Sequence, residues 1–558
     1  MKLFNCKKFI LPIATFYCMY NIYSCAAIQS PSGGPKDNTP PVLLASIPES
    51  GSINFEGGKV ELMFSEYLQE KSLNNAFKIL PETNTPAEIK YEGDKVNIYF
   101  PDSLSSDQTY ILSINRGLKD EHGVPLSQGV QLAFSTGSRI DKSKIRGRIF
   151  YNGAPSSLLW KLKDSTDHID FYKRMPDYSI DTNDEGEYEF SYLSVGDYKV
   201  VGIDRAFNGK LIDAEYGVYG LPWTSYISVD SIDIVKQSIN IIVPNEPRSV
   251  KILNAQWLSN RWGMLTFDVP IEQYKNIILV DVISDSFGTR AKTFIDSEKS
   301  NILHYVISDS LKYSLKTIID IAPVYQNNHK VIDSVRIVAR VPAAKDTNYI
   351  SITNYKKNIV LNIDKEVIMP LNIHFSKIMD NASLDSAITL YKDSSLLEIE
   401  MTWASPMDLE VLPKINWEPL SQYSLSIIRD KIFINNNKTI KDSIKTIAIS
   451  TTKYKKFGTL TGNIVTKHFE PLFVRLFSFE KENIFHDAIV NSSSIFKISK
   501  VPEGKYYLMV FYDKDGNTKY SQGHLNPYSP SEWFEFFPDT ISIRNNWDME
   551  VADIRLSK

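Results

Sequence analysis

A chain of 558 residues is too long for one hydrophobic core, and at roughly 100 to 200 residues per domain it holds three to five. Hydrophobic residues are 43% and aromatics 12%, which excludes a largely disordered chain. The balance of 62 basic against 66 acidic side chains leaves no surplus positive charge to hold phosphates, so nucleic acid is excluded as a general partner.

The chain begins with a segment built for export. Lys2, Lys7 and Lys8 stand without a neighbouring acid and precede an apolar run over residues 9–23 that is broken by Pro12, Thr15 and Asn21. A spanning helix needs roughly 20 consecutive apolar residues, so this run reads as the short core of a signal peptide at 1–24. It ends in Ile22, Tyr23, Ser24 and Cys25, which resembles a bacterial lipobox. Residues 25–40 are small, polar and turn-forming, as a flexible tether requires. Cys6 and Cys18 leave with the signal peptide, and acylation of Cys25 removes the one remaining thiol. The expectation is a covalent lipid, palmitate included, on Cys25.

Beyond the tether, period-two alternation dominates, as at residues 59–64, 95–100 and 198–203. Such segments read as half-buried strands, and the Gly, Asn, Asp and Pro clusters between them as turns. Short helices are expected only at 65–77 and 376–390. The fold class is all-β, in tandem sandwiches. A duplication runs through the chain: Phe64, Ser65 and Glu66 recur as Phe375, Ser376 and Lys377, Thr109 and Tyr110 as Gln422 and Tyr423, and Gly196 and Tyr198 as Gly504 and Tyr506. A nearly constant offset through both halves means that a two-domain unit occurs twice. The expected order is A (41–138), B (143–246), C (248–343), A′ (347–453) and B′ (457–558).

Domain A, with Gly33, Gly34, Pro35, Lys36 and Asp37, then Phe64, Ser65 and Glu66, and finally Phe134 to Gly137, resembles the SbsA-type bacterial Ig-like domains of Bacteroidota envelope lipoproteins. The B units, with Asn183, Asp184, Glu185 and Gly186 ahead of Tyr188, resemble carboxypeptidase-regulatory-like, transthyretin-like sandwiches. The resemblance implies Ig-like and transthyretin-like sandwiches behind a lipidated tether. It also implies a place in the outer membrane, facing the cell surface more than the periplasm, and protein partners in an outer-membrane complex. The A′ copy departs from the pattern, since Lys377 replaces Glu66.

Catalytic motifs are missing: there is no His-Glu-x-x-His, no Gly-x-Ser-x-Gly and no Walker loop. The eight histidines are scattered singly, no two at the short spacing of a metal site. The expectation is therefore a non-catalytic scaffold or accessory protein without a cofactor. Two features compete with that bland reading. Asp513, Asp515 and Asn517 alternate ahead of a turn at Gly516 like the opening of a calcium loop, although His524 stands where such a loop carries glutamate, and a plain Asp-Gly turn explains them equally. Aromatic clusters around Tyr219 and Trp223 in B and Tyr528 and Trp533 in B′ suit a partner surface or glycan stacking. Glu66, Glu70, Asp120 and Glu121 read as solvated loop and cap acids.

Overall fold

A computed structural model describes residues 37–557, apart from 81–82, 84, 103, 164–166, 231–237, 246–248, 275–276, 285–286, 327–328, 347, 349, 355, 380–381, 385, 429–430, 435–436, 439–445, 467–470 and 480–484. Cys25 lies outside the described residues. No helix among those described is long and apolar enough to cross a membrane.

Alternation becomes sandwich packing. Along Gly58–Phe64, Val60, Leu62 and Phe64 are buried while Glu61 and Met63 are half-buried, because successive side chains of a strand leave on opposite faces. Domain A pairs Leu43–Ile47, Gly58–Phe64, Lys95–Phe100 and Glu88–Glu92, in that order, into one antiparallel sheet. Phe77–Leu80, Thr109–Ile114 and Val130–Ser135 make the other. Phe55, Phe100 and Phe134 meet between them with ring centroids 5.2 to 6.0 Å apart. Domain C is built the same way, from two four-stranded sheets closing over Leu265, Phe267, Val282, Leu303 and Ile319.

The duplication reaches individual hydrogen bonds. In B, Tyr178–Asp181, Pro155–Lys161 and Gly196–Asp204 form one sheet, with Tyr219–Gly220 and Ile227–Val229 both added to the last strand. In B′, Phe485–Ile489, Leu472–Ser478 and Gly504–Tyr512 repeat this, with Phe534–Phe536 and Ile541–Ile543 added. The opposite sheet also recurs, including a parallel final strand, Ile241–Ile242 on Ser143–Phe150 and Ile554–Arg555 on Phe457–Val465. The Tyr198 hydroxyl donates to the Ser194 carbonyl at 2.7 Å, and that of Tyr506 to the Pro502 carbonyl at 2.8 Å. In A and A′, Tyr110 and Tyr423 each accept from a backbone N–H five residues upstream, on Ser105 and Glu418, at 2.8 Å.

The two short helices expected from spacing are not formed. In the first, only Glu70–Asn75 coils, as a 3-10 stretch. In the second, Ala382–Ser383 and Ile388–Lys392 are strands. Leu384, Ala387 and Ile388 do point inward with helix-like spacing, but they do so from a bend that feeds the A′ core. Over so few residues, packing against a neighbouring sheet overrides periodicity.

Candidate functional site

The expected partner surface is turned inward. Pro155–Lys161 is buried on both faces from Pro155 to Trp160, unlike the half-buried strands around it. Its inner face gives Leu159 to the domain B core, while Leu158 and Trp160 look outward and join Phe171, Val201, Ile203 and Tyr219. Leu525 of B′, fully buried, completes this outer cluster. The exchange is mutual: Phe150 and Ile242 of B pack on Phe473, Phe511 and Phe534 on the outer face of B′. The Phe150 ring lies 4.6 Å from Phe536 and 5.6 Å, edge to face, from Phe534.

Polar groups set the register of this contact. The Leu525 N–H donates to the Tyr219 hydroxyl at 3.1 Å, the Tyr528 hydroxyl to the Ser225 carbonyl at 3.0 Å, and the Ser531 N–H to the Pro222 carbonyl at 3.1 Å. The Tyr528 ring also covers the ammonium of Lys199 at 3.3 Å, with Phe171 at 5.3 Å. Burial pushes this lysine down to about 8, and the two ring faces are what it meets instead of water.

The four aromatic residues therefore serve an internal contact. Tyr219 is fully buried, Trp533 belongs to the B′ core beside Tyr512 at 5.0 Å, Trp223 packs against that same core, and Tyr528 lies on Lys199. Burial leaves these rings no open face for glycan stacking. The signal in the sequence was the unbroken apolar run at residues 158–160 in a domain that otherwise alternates, which marks a strand covered on both sides.

The Asp513 loop closes on its own main chain. Asp513 accepts from Asn517 N and Thr518 N, both at 3.0 Å, and Asp515 from Asn517 Nδ2 at 2.9 Å and Ser521 Oγ at 2.6 Å. Asn517 departs from its expected role: its amide N–H groups donate to Asp515 and Ser521, and its oxygen accepts from Lys519 N. Glu532, which spacing could not have found, takes its place beside the two aspartates, with one oxygen of each acid within 4.8 Å. Glu532 accepts from Lys514 N and Ser521 N, and burial pushes its carboxyl up to about 7. With their oxygens engaged by N–H and hydroxyl donors, these residues fit a hydrogen-bonded turn better than a calcium ion, which takes about 6 to 8 oxygens.

Histidines that stand far apart in sequence do meet at the junction of C and A′. His374 Nδ1 lies 2.6 Å from Asp408 Oδ1, and Ser297 Oγ of domain C lies 3.0 Å from the same nitrogen and 2.5 Å from the same oxygen. Next to Ser297, Asp296 holds His304 at 3.0 Å. Burial works against charge on His374, but the Asp408 hydrogen bond outweighs it and the imidazole is raised above its usual value. Asp408 and Asp296 are likewise held below the usual carboxylate range in spite of burial, by their histidine partners first. A hydrolytic triad places serine and aspartate on opposite ring nitrogens. Here both share Nδ1, so Ser297 donates to a carboxylate and faces no base.

Of the acids read as solvated, Asp120 is only 1% exposed. Its Oδ1 accepts from Val124 N at 2.8 Å and its Oδ2 accepts nothing.

Residues 37–136 match the family described as bacterial Ig-like domain. No curated protein sequence matches the chain. Among solved structures, the chain is similar to the surface-layer protein SbsC, domains 1–6, at 8% identity over 84% of this chain and 60% of that one, with a TM-score of 0.14. The N-terminal part of SbsC is matched at 9% identity over 37% of this chain and 44% of that chain, with a TM-score of 0.16, so this chain covers less than two thirds of either. The major pilin subunit of Bacillus cereus is matched at 9% identity over 74% and 99% of the two chains, with a TM-score of 0.14. TM-scores of this size carry no functional argument. What stands is an all-β protein of repeated sandwiches whose first domain is a bacterial Ig-like domain.

Proposed function

We propose that this chain is a non-catalytic scaffold: a lipoprotein fixed to the outer membrane through Cys25, facing the cell surface, and serving as a structural or accessory subunit of an outer-membrane protein complex. The carrying observation is the contact between B and B′. The loops that a binding module would offer to a ligand are spent on joining the two halves of the chain, with Leu525, Tyr528 and Tyr219 as the interlock. That investment suits a protein whose work is to hold a shape. The buried His374, Asp408 and Ser297 cluster supports the same reading, since it ties C to A′ and leaves no activated nucleophile. The lipobox-like Ile22 to Cys25 and the polar tether support the anchor, and the resemblance of the B units to transthyretin-like modules supports an envelope protein of the Bacteroidota type.

The test is metabolic labelling with a palmitate analogue, membrane fractionation and purification in mild detergent at native expression. Wild type should carry label, sediment with outer membranes and bring a stoichiometric partner, whereas Cys25→Ala should stay folded, unlabelled and soluble. A labelled chain that always emerges alone overturns the scaffold reading, and an unlabelled wild type overturns the anchor.

A further inference from the structure

Three segments of domain A that are distant in sequence converge at one point. Asp37 stands ahead of Leu43–Ile47, while Asp120 and His122 sit in the turn between Thr109–Ile114 and Val130–Ser135. One ligand atom from each of the three lies within 4.8 Å of the others, with His122 Nδ1 3.5 Å from Asp37 Oδ2. Acidic clusters are common at protein surfaces, but this one has a buried member with an oxygen to spare. Asp120 Oδ2 is shielded from water and accepts no hydrogen bond, whereas buried polar atoms as a rule find a partner. Glu66 lies alongside, half-buried, its carboxyl raised by its own burial and by the charges of Asp37 and Asp120. Carboxylates this close repel unless something positive stands among them.

The second copy shows what that something is. Ser65 and Val42 exchange a pair of hydrogen bonds in A, Ser65 N to Val42 O and Val42 N to Ser65 Oγ, both at 2.9 Å. In A′, Ser376 and Ser351 exchange the same pair at 2.8 and 2.9 Å. This register equates Glu66 with Lys377 and Asp37 with Asp346. The equivalence holds in detail, because Asp37 Oδ1 accepts from Thr39 N and Asp346 Oδ1 from Asn348 N, each at 2.9 Å. In A′ the Lys377 ammonium lies 2.5 Å from Asp346 Oδ2 and donates to the Asn348 carbonyl at 2.8 Å. One copy thus carries its cation on a side chain, and the other has an acid in that position and an imidazole beside it.

We propose that Asp37, Asp120 and His122 bind a divalent cation, which takes in domain A the place that the Lys377 ammonium holds in A′. Two carboxylates and one imidazole favour a zinc- or manganese-class ion over calcium, which takes oxygen ligands alone, and the exposed side of His122 leaves room for water ligands. The cation would pin the chain entering domain A to the turn at Asp120.

The experiment is calorimetric titration of the EDTA-stripped full chain with Zn2+, Mn2+ and Ca2+ in turn. Zn2+ or Mn2+ should bind one to one in domain A, with affinity at least tenfold weaker in His122→Ala and in Asp37→Ala, both of which alter exposed or half-exposed side chains and leave the sandwich intact. Glu66→Lys should fold as the A′ copy does, with an unchanged thermal transition in the metal-free state, and bind no metal. Asp515→Ala should leave the titration unchanged. No heat with Zn2+ or Mn2+, binding of Ca2+ alone, binding indifferent to His122→Ala, or a site lost with Asp515→Ala would each overturn the proposal.

Discussion

Domains A and A′ share strand order and register, yet one pair of facing residues separates them. In A, Met63 faces Lys95 across the antiparallel pair, both half-exposed on the outer surface of the sheet. In A′ the corresponding pair is His374 and Asp408, 3% and 8% exposed, capped by Ser297 of domain C. The backbone is the same, so the difference lies in what covers the sheet. A duplicated sandwich keeps its inner face, which its own core dictates, and diverges on the outer face, where the neighbour decides.

The largest effect should come from breaking the A′ version of that pair. Asp408→Ala strips His374, Ser297 and Ser405 of their common acceptor and should cost about 3 to 5 kcal/mol of unfolding free energy in urea, with the loss confined to C and A′. Lys95→Ala at the matching position in A should cost well under about 1 kcal/mol. The cluster should also make A′ alone pH-sensitive. His374 is raised in the folded state, so its contribution is fully present below its unfolded value near 6.5 and is lost as pH climbs through the folded value. Asp408 is lowered, so its contribution is present above its unfolded value near 3.8 and is lost as pH falls through the folded value. Between those limits the junction is strongest, and protease cleavage between C and A′ across a pH series reads it out.

Next in size is the contact between B and B′. Leu525→Ala removes the side chain that fills the outer cluster of B and should cost about 2 to 4 kcal/mol, visible as separation of the two B transitions in calorimetry. The matched tyrosines offer a smaller and sharper comparison. Tyr110→Phe and Tyr423→Phe each delete one acceptor for a backbone N–H five residues upstream, and each should cost about 1 kcal/mol in its own domain. Unequal losses would show that the two copies no longer rely on the same corner. Smallest of all, Lys377→Glu should give A′ the acidic arrangement of A and destabilise it by about 0.5 to 1 kcal/mol at low salt, with the loss shrinking as salt is added.

Several layers of this molecule were legible before its structure. Alternation gave Gly58–Phe64 and Lys95–Phe100 almost to the residue, and the recurrence of Tyr198 as Tyr506 announced a duplication that extends to hydrogen bonds. The sites were read less well. The search for histidine ligands at short spacing passed over His122, whose partner Asp37 lies in another segment, and over His374, whose partner Asp408 is one strand away in space but 34 residues along the chain. Asp120 looked like a solvated turn acid because its neighbours Glu121 and His122 are exposed, and only the packed turn shows it buried.

The sequence by itself therefore determined the strands, their inward faces and the repetition of the two-domain unit, because side-chain direction along a strand is a local property with a period of two. Tertiary structure alone decided which outer faces are covered. The apolar run at 158–160 says that a strand is covered twice; only the fold brings Leu525, 306 residues beyond Tyr219, to cover it. Convergence of distant side chains depends on sheet register and on the docking of one sandwich against another, and neither leaves a periodic trace in the chain.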